Sequence, residues 1–276
     1  MPYFETRDGA KIYFEEQGTG QPLVLIHGWT CSTVFWQRNA PELAKNFRVV
    51  TMDLRGHGNS AKILHGHTVA QYARDVGELL EHLDLQDTTL VGWSLAGPVV
   101  LSYWQQFAHH NRLRAIGLVD ITTAPFSPGD WNCHSLKNHN LPAMHATFAS
   151  FLGNPQAFAT AFAHRMFKNE RASESDVQWI VGELAKTPPW IAIAVYSDYL
   201  LSDTTHILPT VSVPVIVFAG NSGVFKTGID QGRYLAGLAP KSRLIPFEEA
   251  GHMLFYEQPE KFNAALASFV QSGLPR

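Results

Sequence analysis

Thr88-Thr89-Leu90-Val91-Gly92-Trp93-Ser94-Leu95-Ala96-Gly97-Pro98 is the stretch whose reading decides the fold. Residues 88–91 have the apolar, β-branched character of a strand covered on both faces. Pro98 falls in the first turn of the helical stretch that runs on to His109, where a missing N–H costs nothing. Ser94 is therefore expected on a sharp strand-to-helix turn. That turn would set its hydroxyl at the carboxyl edge of a sheet, with the unpaired N–H groups of a helix start beside it.

Working outward, similar short apolar runs occur at Pro22–Ile26, Arg48–Met52, Ala115–Val119 and Val215–Phe218. Helical patterns separate most of them. The clearest opens with the capping-box sequence Thr68-Val69-Ala70-Gln71 and carries Val69, Tyr72, Val76, Leu79, Leu80 and Leu83 on one face. Phe262, Leu266 and Phe269 repeat that period in a C-terminal helix. Tyr3–Thr6 and Lys11–Glu15 meet at Asp8-Gly9 as an antiparallel hairpin. Strands alternating with helices imply right-handed crossovers and the α/β class, with a mostly parallel sheet. The alternation stops between Thr123 and His206, where helical patterns such as Phe148/Phe151 and Phe158/Phe162 are punctuated by proline. This stretch is expected to be a helical cap, residues 123–206, inserted after strand six into a core made of residues 1–122 and 207–276.

The chain has 276 residues, 45% of them apolar, enough for a full core in one large domain with an insertion. A formal charge of -3 and a charged fraction of 16% provide no basic field for nucleic acid or anionic lipid. The N-terminus lacks the order of a signal peptide, and no apolar run approaches the roughly 20 residues of a membrane helix. A cytoplasmic protein with a small-molecule substrate is expected, with homo-oligomerisation left open. Cys31 and Cys133 lack any metal-site or disulfide spacing and are expected to be free thiols.

Four landmarks, the opening stretch among them, resemble the α/β-hydrolase family. His27-Gly28-Trp29-Thr30 follows the third run, where that family places an H-G-x turn. Asp53-Leu54-Arg55-Gly56-His57-Gly58-Asn59-Ser60 is similar to its D-x-R-G-x-G-x-S loop. Gly92-Trp93-Ser94-Leu95-Ala96 resembles the nucleophile elbow, with Ala96 replacing the usual second glycine and Gly97 following at once. Glu248-Glu249-Ala250-Gly251-His252, with Glu257 and Pro259 after it, resembles the loop that delivers the catalytic histidine. The resemblance spans about Tyr3 to Val270 and implies an α/β-hydrolase fold with a twisted eight-stranded sheet. It also implies Ser94 as nucleophile, His252 as base and an oxyanion hole formed by the N–H groups of Trp29 and Leu95. His27, Asp53, Arg55 and His57 are expected to be scaffold.

The triad acid does not carry over. Most of the family holds it after strand seven, three residues past a glycine, and here Gly220-Asn221-Ser222-Gly223 leaves that position without a side chain. Asp120 ends the sixth run and would emerge at the same sheet edge as Ser94, as in the family branches that include haloalkane dehalogenases and cofactor-free dioxygenases. The plainer alternative is an aspartate that caps the start of the insertion. Asp230 and Asp203 are the fallback acids.

The insertion is rich in aromatic residues, among them Phe158, Phe162, Tyr196 and Tyr199, which implies a mostly apolar pocket. Without a Lys/Arg cluster or a phosphate cradle, neutral substrates are expected over phosphorylated ones. His134, His139 and His145 lack metal spacing and read as surface residues, so no metal and no cofactor are expected. The leading reading is hydrolysis of an ester, lactone or related acyl bond through an acyl-Ser94 intermediate. Three rivals remain. One is cofactor-free dioxygenase-like chemistry in the same site. Another is peracid formation as in a haloperoxidase-like branch, which typically has proline where this chain has Thr30. The third is a non-catalytic small-molecule receptor.

Overall fold

The computed structural model describes residues 2–272. Eight strands form one sheet: β1 (Tyr3–Glu5), β2 (Lys11–Gln17), β3 (Pro22–Ile26), β4 (Arg48–Met52), β5 (Thr88–Trp93), β6 (Leu113–Val119), β7 (Val215–Gly220) and β8 (Ser242–Phe247). Their spatial order is β1-β2-β4-β3-β5-β6-β7-β8. β1 and β2 pair antiparallel, as do β2 and β4, and every later pair is parallel. Every residue of β5 and β7 is buried, as expected of central strands covered on both faces, whereas β2 alternates between buried and exposed positions.

The helices of the core are α1 (Ala40–Leu43), α2 (Val69–His82) and α3 (Ala96–Phe107) before the insertion. The insertion contributes α4 (Leu141–Gly153), α5 (Pro155–Met166), α6 (Glu174–Leu184) and α7 (Pro189–Leu201), and the core resumes with α8 (Gly228–Leu238), α9 (Leu254–Glu257) and α10 (Pro259–Ser272). The Thr68 hydroxyl accepts from the Gln71 N–H at 3.1 Å, so the α2 cap forms where the sequence signals it. α3 begins at Ala96, two residues before Pro98, because the chain turns directly out of the strand.

One apolar cluster joins α2, α3 and α8 to cap residues such as Phe151, Val195 and Tyr199. A second joins α1, α9 and α10 to Ala163, Ile180 and Leu184 of the cap. The cap is thus sewn into both cores. Among the described residues no helix is long and apolar enough to cross a membrane.

Candidate active site

Ser94 lies immediately after β5 at φ 56, a left-handed conformation that serine rarely adopts. The turn is tight enough that a Cβ on Gly92 would stand 2.3 Å from the Ala96 carbonyl oxygen. Ala96 itself is fully buried without such a conflict, whereas a Cβ on Gly97 would stand 2.5 Å from the Ile121 side chain. The elbow therefore needs its second glycine one residue later than the family pattern has it. α3 has no side-chain N-cap, and among the described residues the N–H groups of Leu95 and Trp29 find no internal acceptor. Both remain available to an oxyanion.

The Trp29 loop is held from below. His27 Nδ1 donates to the Gly28 carbonyl at 2.8 Å, and its Nε2 accepts from the Leu54 N–H at 2.9 Å. Burial pushes this imidazole down to about 4, so it is neutral at physiological pH. Asp53 accepts from the N–H groups of Thr33 and Asn59, both at 2.6 Å, and burial raises its carboxyl to about 6. The fully buried Arg55 forks onto Asp75 at 2.8 and 2.6 Å and onto Asp8 at 2.7 and 2.8 Å. His57 donates from Nδ1 to the Arg55 carbonyl at 3.0 Å. All four hold loops rather than facing the Ser94 cavity.

Asp120 follows β6 at φ 45, and its own N–H donates across to the Phe218 carbonyl at 2.7 Å. Its Oδ1 accepts from the Gly220 N–H at 3.0 Å, and its Oδ2 takes the proton side of His252 Nδ1 at 2.5 Å. Burial raises the Asp120 carboxyl against the pull of the His252 and Gly220 bonds. The Trp93 indole donates to the His252 carbonyl at 3.0 Å, and the Trp93 and Phe225 rings lie 5.2 and 5.3 Å from the imidazole. Glu257 ties down the histidine loop by accepting from Gly251 N–H at 2.6 Å and Lys168 N–H at 2.9 Å. With Nδ1 committed to Asp120, His252 keeps Nε2 for other work.

The other candidate acids lie elsewhere. Asp230 pairs with Arg233 on the exposed side of α8, and Asp203 accepts from the Thr205 N–H at 2.8 Å in the connection leaving the cap. Cys31 is a buried free thiol whose Sγ donates to the Trp29 carbonyl at 3.3 Å, and burial pushes its thiol well up.

Ser94 opens onto a cavity of about 60 Å³ walled by Trp29, Leu95, Phe158, Phe162, Val224 and Phe225 together with six residues that carry polar side-chain atoms. Those six are His134, Ser135, Thr147, Arg165, Tyr196 and Tyr199. The wall is more polar than the aromatic content of the insertion led us to expect. His134 is also not a surface residue: it is 7% exposed, and burial pushes it down to about 4, whereas His139 and His145 are exposed. The segment between β6 and α4 folds inward under the cap, and its irregular sequence gave no period from which to read that. A second cavity of about 380 Å³, mostly apolar, lies between α4–α5 and α6–α7, and Phe158 lines both. A larger groove of about 630 Å³ between α1 and α10 contains none of the site residues. Among the described residues no group of three or more His, Cys, Asp or Glu side chains is placed to hold a metal ion.

This sheet, elbow and cap belong to a hydrolase architecture, and the family comparison agrees. Residues 21–259 match the model of the alpha/beta hydrolase fold, and the chain belongs to that family. It is 27% identical to a non-heme chloroperoxidase, CPO-A1, of Kitasatospora aureofaciens over 98% of this chain and 99% of that one. It is 25% identical to the bifunctional esterase/perhydrolase DCH of Acinetobacter calcoaceticus over 99% and 100% of the two chains. Among solved structures, an esterase from Exiguobacterium antarcticum superposes with a TM-score of 0.89 at 24% identity, covering 98% of this chain and 99% of that one.

Proposed function

We propose that the protein is a serine hydrolase cleaving a small carboxylic ester or lactone through an acyl-enzyme on Ser94. The observation that carries this reading is the 2.5 Å contact of Asp120 with His252 Nδ1, on the strand next to the one that ends in the strained Ser94 turn. His252 Nε2 takes the Ser94 proton as Oγ bonds to the substrate carbonyl carbon, and the Trp29 and Leu95 N–H groups hold the developing oxyanion. His252 then returns the proton to the departing alcohol. Water adds to the acyl carbon with its proton going to His252, which passes it to Ser94 Oγ as the Ser94–acyl bond breaks to release the acid. Asp120 stabilises the imidazolium in both halves. The related esterase/perhydrolase supports ester chemistry on this framework.

The same relatives favour a second reading, perhydrolysis, in which hydrogen peroxide replaces water and the acyl group leaves as a peracid. Against it stands Thr30 at φ 58, a backbone angle that proline, fixed near about −65°, cannot take. The loop after Trp29 therefore follows a different path from one built with proline there.

Turnover of p-nitrophenyl acetate and butyrate by the wild type, abolished in Ser94→Ala, is the expected result. Peracid formation is read in parallel as bromination of monochlorodimedone in acetate, bromide and peroxide. A wild type inert to both, and to short alkyl esters with or without a second carboxylate, overturns the hydrolase reading. Oxygen uptake with a heteroaromatic substrate would then point to dioxygenase-like chemistry.

A further inference from the structure

Arg165 stands near the end of α5 and lines the cavity that contains Ser94. Its Nε and Nη2 donate to a single acceptor, the Gly223 carbonyl, at 3.2 and 2.9 Å. Two bonds to one oxygen fix the plane of the guanidinium and leave Nη1 unengaged among the described residues. Among those residues Arg165 also forms no ion pair.

The seat exists because of the residue at 223. A Cβ there would lie 3.1 Å from both Cβ and Cγ of Arg165 and 2.6 Å from Glu170 Oε1. The position that carries the triad acid in most of the family is thus the position on which the arginine rests.

Among the described residues no carboxylate lines the cavity. His134 is held neutral by burial and by the positive field of Arg165, and burial pushes the Tyr196 hydroxyl up to about 12, so it stays protonated. Beyond the His252–Asp120 pair of the proposed mechanism, anything bound at Ser94 therefore meets one cation, neutral hydroxyls and an uncharged imidazole. A neutral ester leaves the half-buried guanidinium without a counter-charge, while a carboxylate meets it with a charge-assisted bond about twice as strong as a neutral one.

We propose that the substrate is an ester carrying a second, ionised carboxyl group, of the dicarboxylic half-ester type, and that Arg165 selects it by binding that carboxylate. The proposal deepens, and rests on, the reading of Ser94 as the acyl carrier.

Monoethyl succinate and ethyl butanoate are similar in size and differ in charge, and their hydrolysis can be followed by pH-stat. The ratio of kcat/KM, anionic over neutral, is expected to exceed about tenfold in the wild type. It should fall at least about tenfold in Arg165→Gln and recover in part in Arg165→Lys, which keeps the charge but loses the fork. Succinate titrated calorimetrically into Ser94→Ala reads the anion site without turnover. Adding Arg165→Gln should weaken that binding by about tenfold or more. A wild-type ratio near one, or succinate binding indifferent to Arg165→Gln, overturns the proposal. Arginine-dependent succinate binding with neither ester turned over sustains the anion site and overturns the hydrolysis reading alone.

Discussion

The Trp29 indole N–H donates to the Ala192 carbonyl at 2.9 Å, fastening the loop after β3 to α7 of the cap. The same ring stacks on Tyr196 at 4.6 Å and meets Phe151, Phe158 and Phe162 at 5.7, 6.0 and 5.8 Å. The residue whose N–H is assigned to the oxyanion hole is thus positioned from above by the cap as well as from below by His27. Trp29→Phe keeps the ring but drops the bond. It should cost about 1 kcal/mol of stability in denaturant titrations and lower kcat more than it raises KM.

Asp120→Asn leaves the shape of the site intact and removes the carboxylate that His252 Nδ1 addresses. A fall in kcat on p-nitrophenyl acetate of about 10³ to 10⁴ is expected. Adding Gly223→Asp should restore little of the rate, because the new side chain lies 3.1 Å from Arg165 Cβ and Cγ and the arginine has to give way before the carboxylate can turn to the histidine. Recovery to within about tenfold of wild type would show that the older acid position still reaches the histidine.

Burial holds His134 at about 4 against an ordinary value of 6.5, so the unfolded chain takes up a proton near pH 6.5 that the folded chain refuses until about pH 4. The folded state therefore loses stability through this group as pH falls across that window. His134→Gln removes the titration. The unfolding free energy of the wild type, relative to this variant, should drop by about 2 to 3 kcal/mol between pH 7 and pH 4.5. A difference that stays constant with pH would mean that the imidazole is not held neutral.

Phe158 is the wall shared by the small cavity at Ser94 and the larger apolar cavity between the cap helices. Phe158→Ala should join them. The preferred acyl chain in a p-nitrophenyl ester series should lengthen from two to four carbons toward eight or more, by roughly 0.8 kcal/mol per added methylene that is buried. An unchanged chain-length profile would show that the two spaces stay separate in solution.

The chain announces its frame through residues whose local physics leaves little choice. Pro22–Ile26 and Thr88–Val91 are apolar throughout and sit in a sheet buried on both faces, and Thr68 caps α2 as its spacing with Gln71 requires. The position of Asp120 at the sheet edge is legible from its place at a strand end beside the elbow strand. Contacts across the cap were not legible, because nothing local records them. His134 lies in a segment without periodicity, and it is the fold of the cap that buries it. Arg165 carries a signal of its own. It stands seven residues after Phe158 and three after Phe162, on the helix face that the aromatic stripe turns toward the site.

Asp120 is at once the partner of His252 and the residue from which the chain leaves the sheet for the cap. One residue therefore ties together the edge of the sheet, the His252 ring and the root of the β6–β7 insertion, so a substitution that displaces the insertion at its root is expected to move the partner of His252 with it.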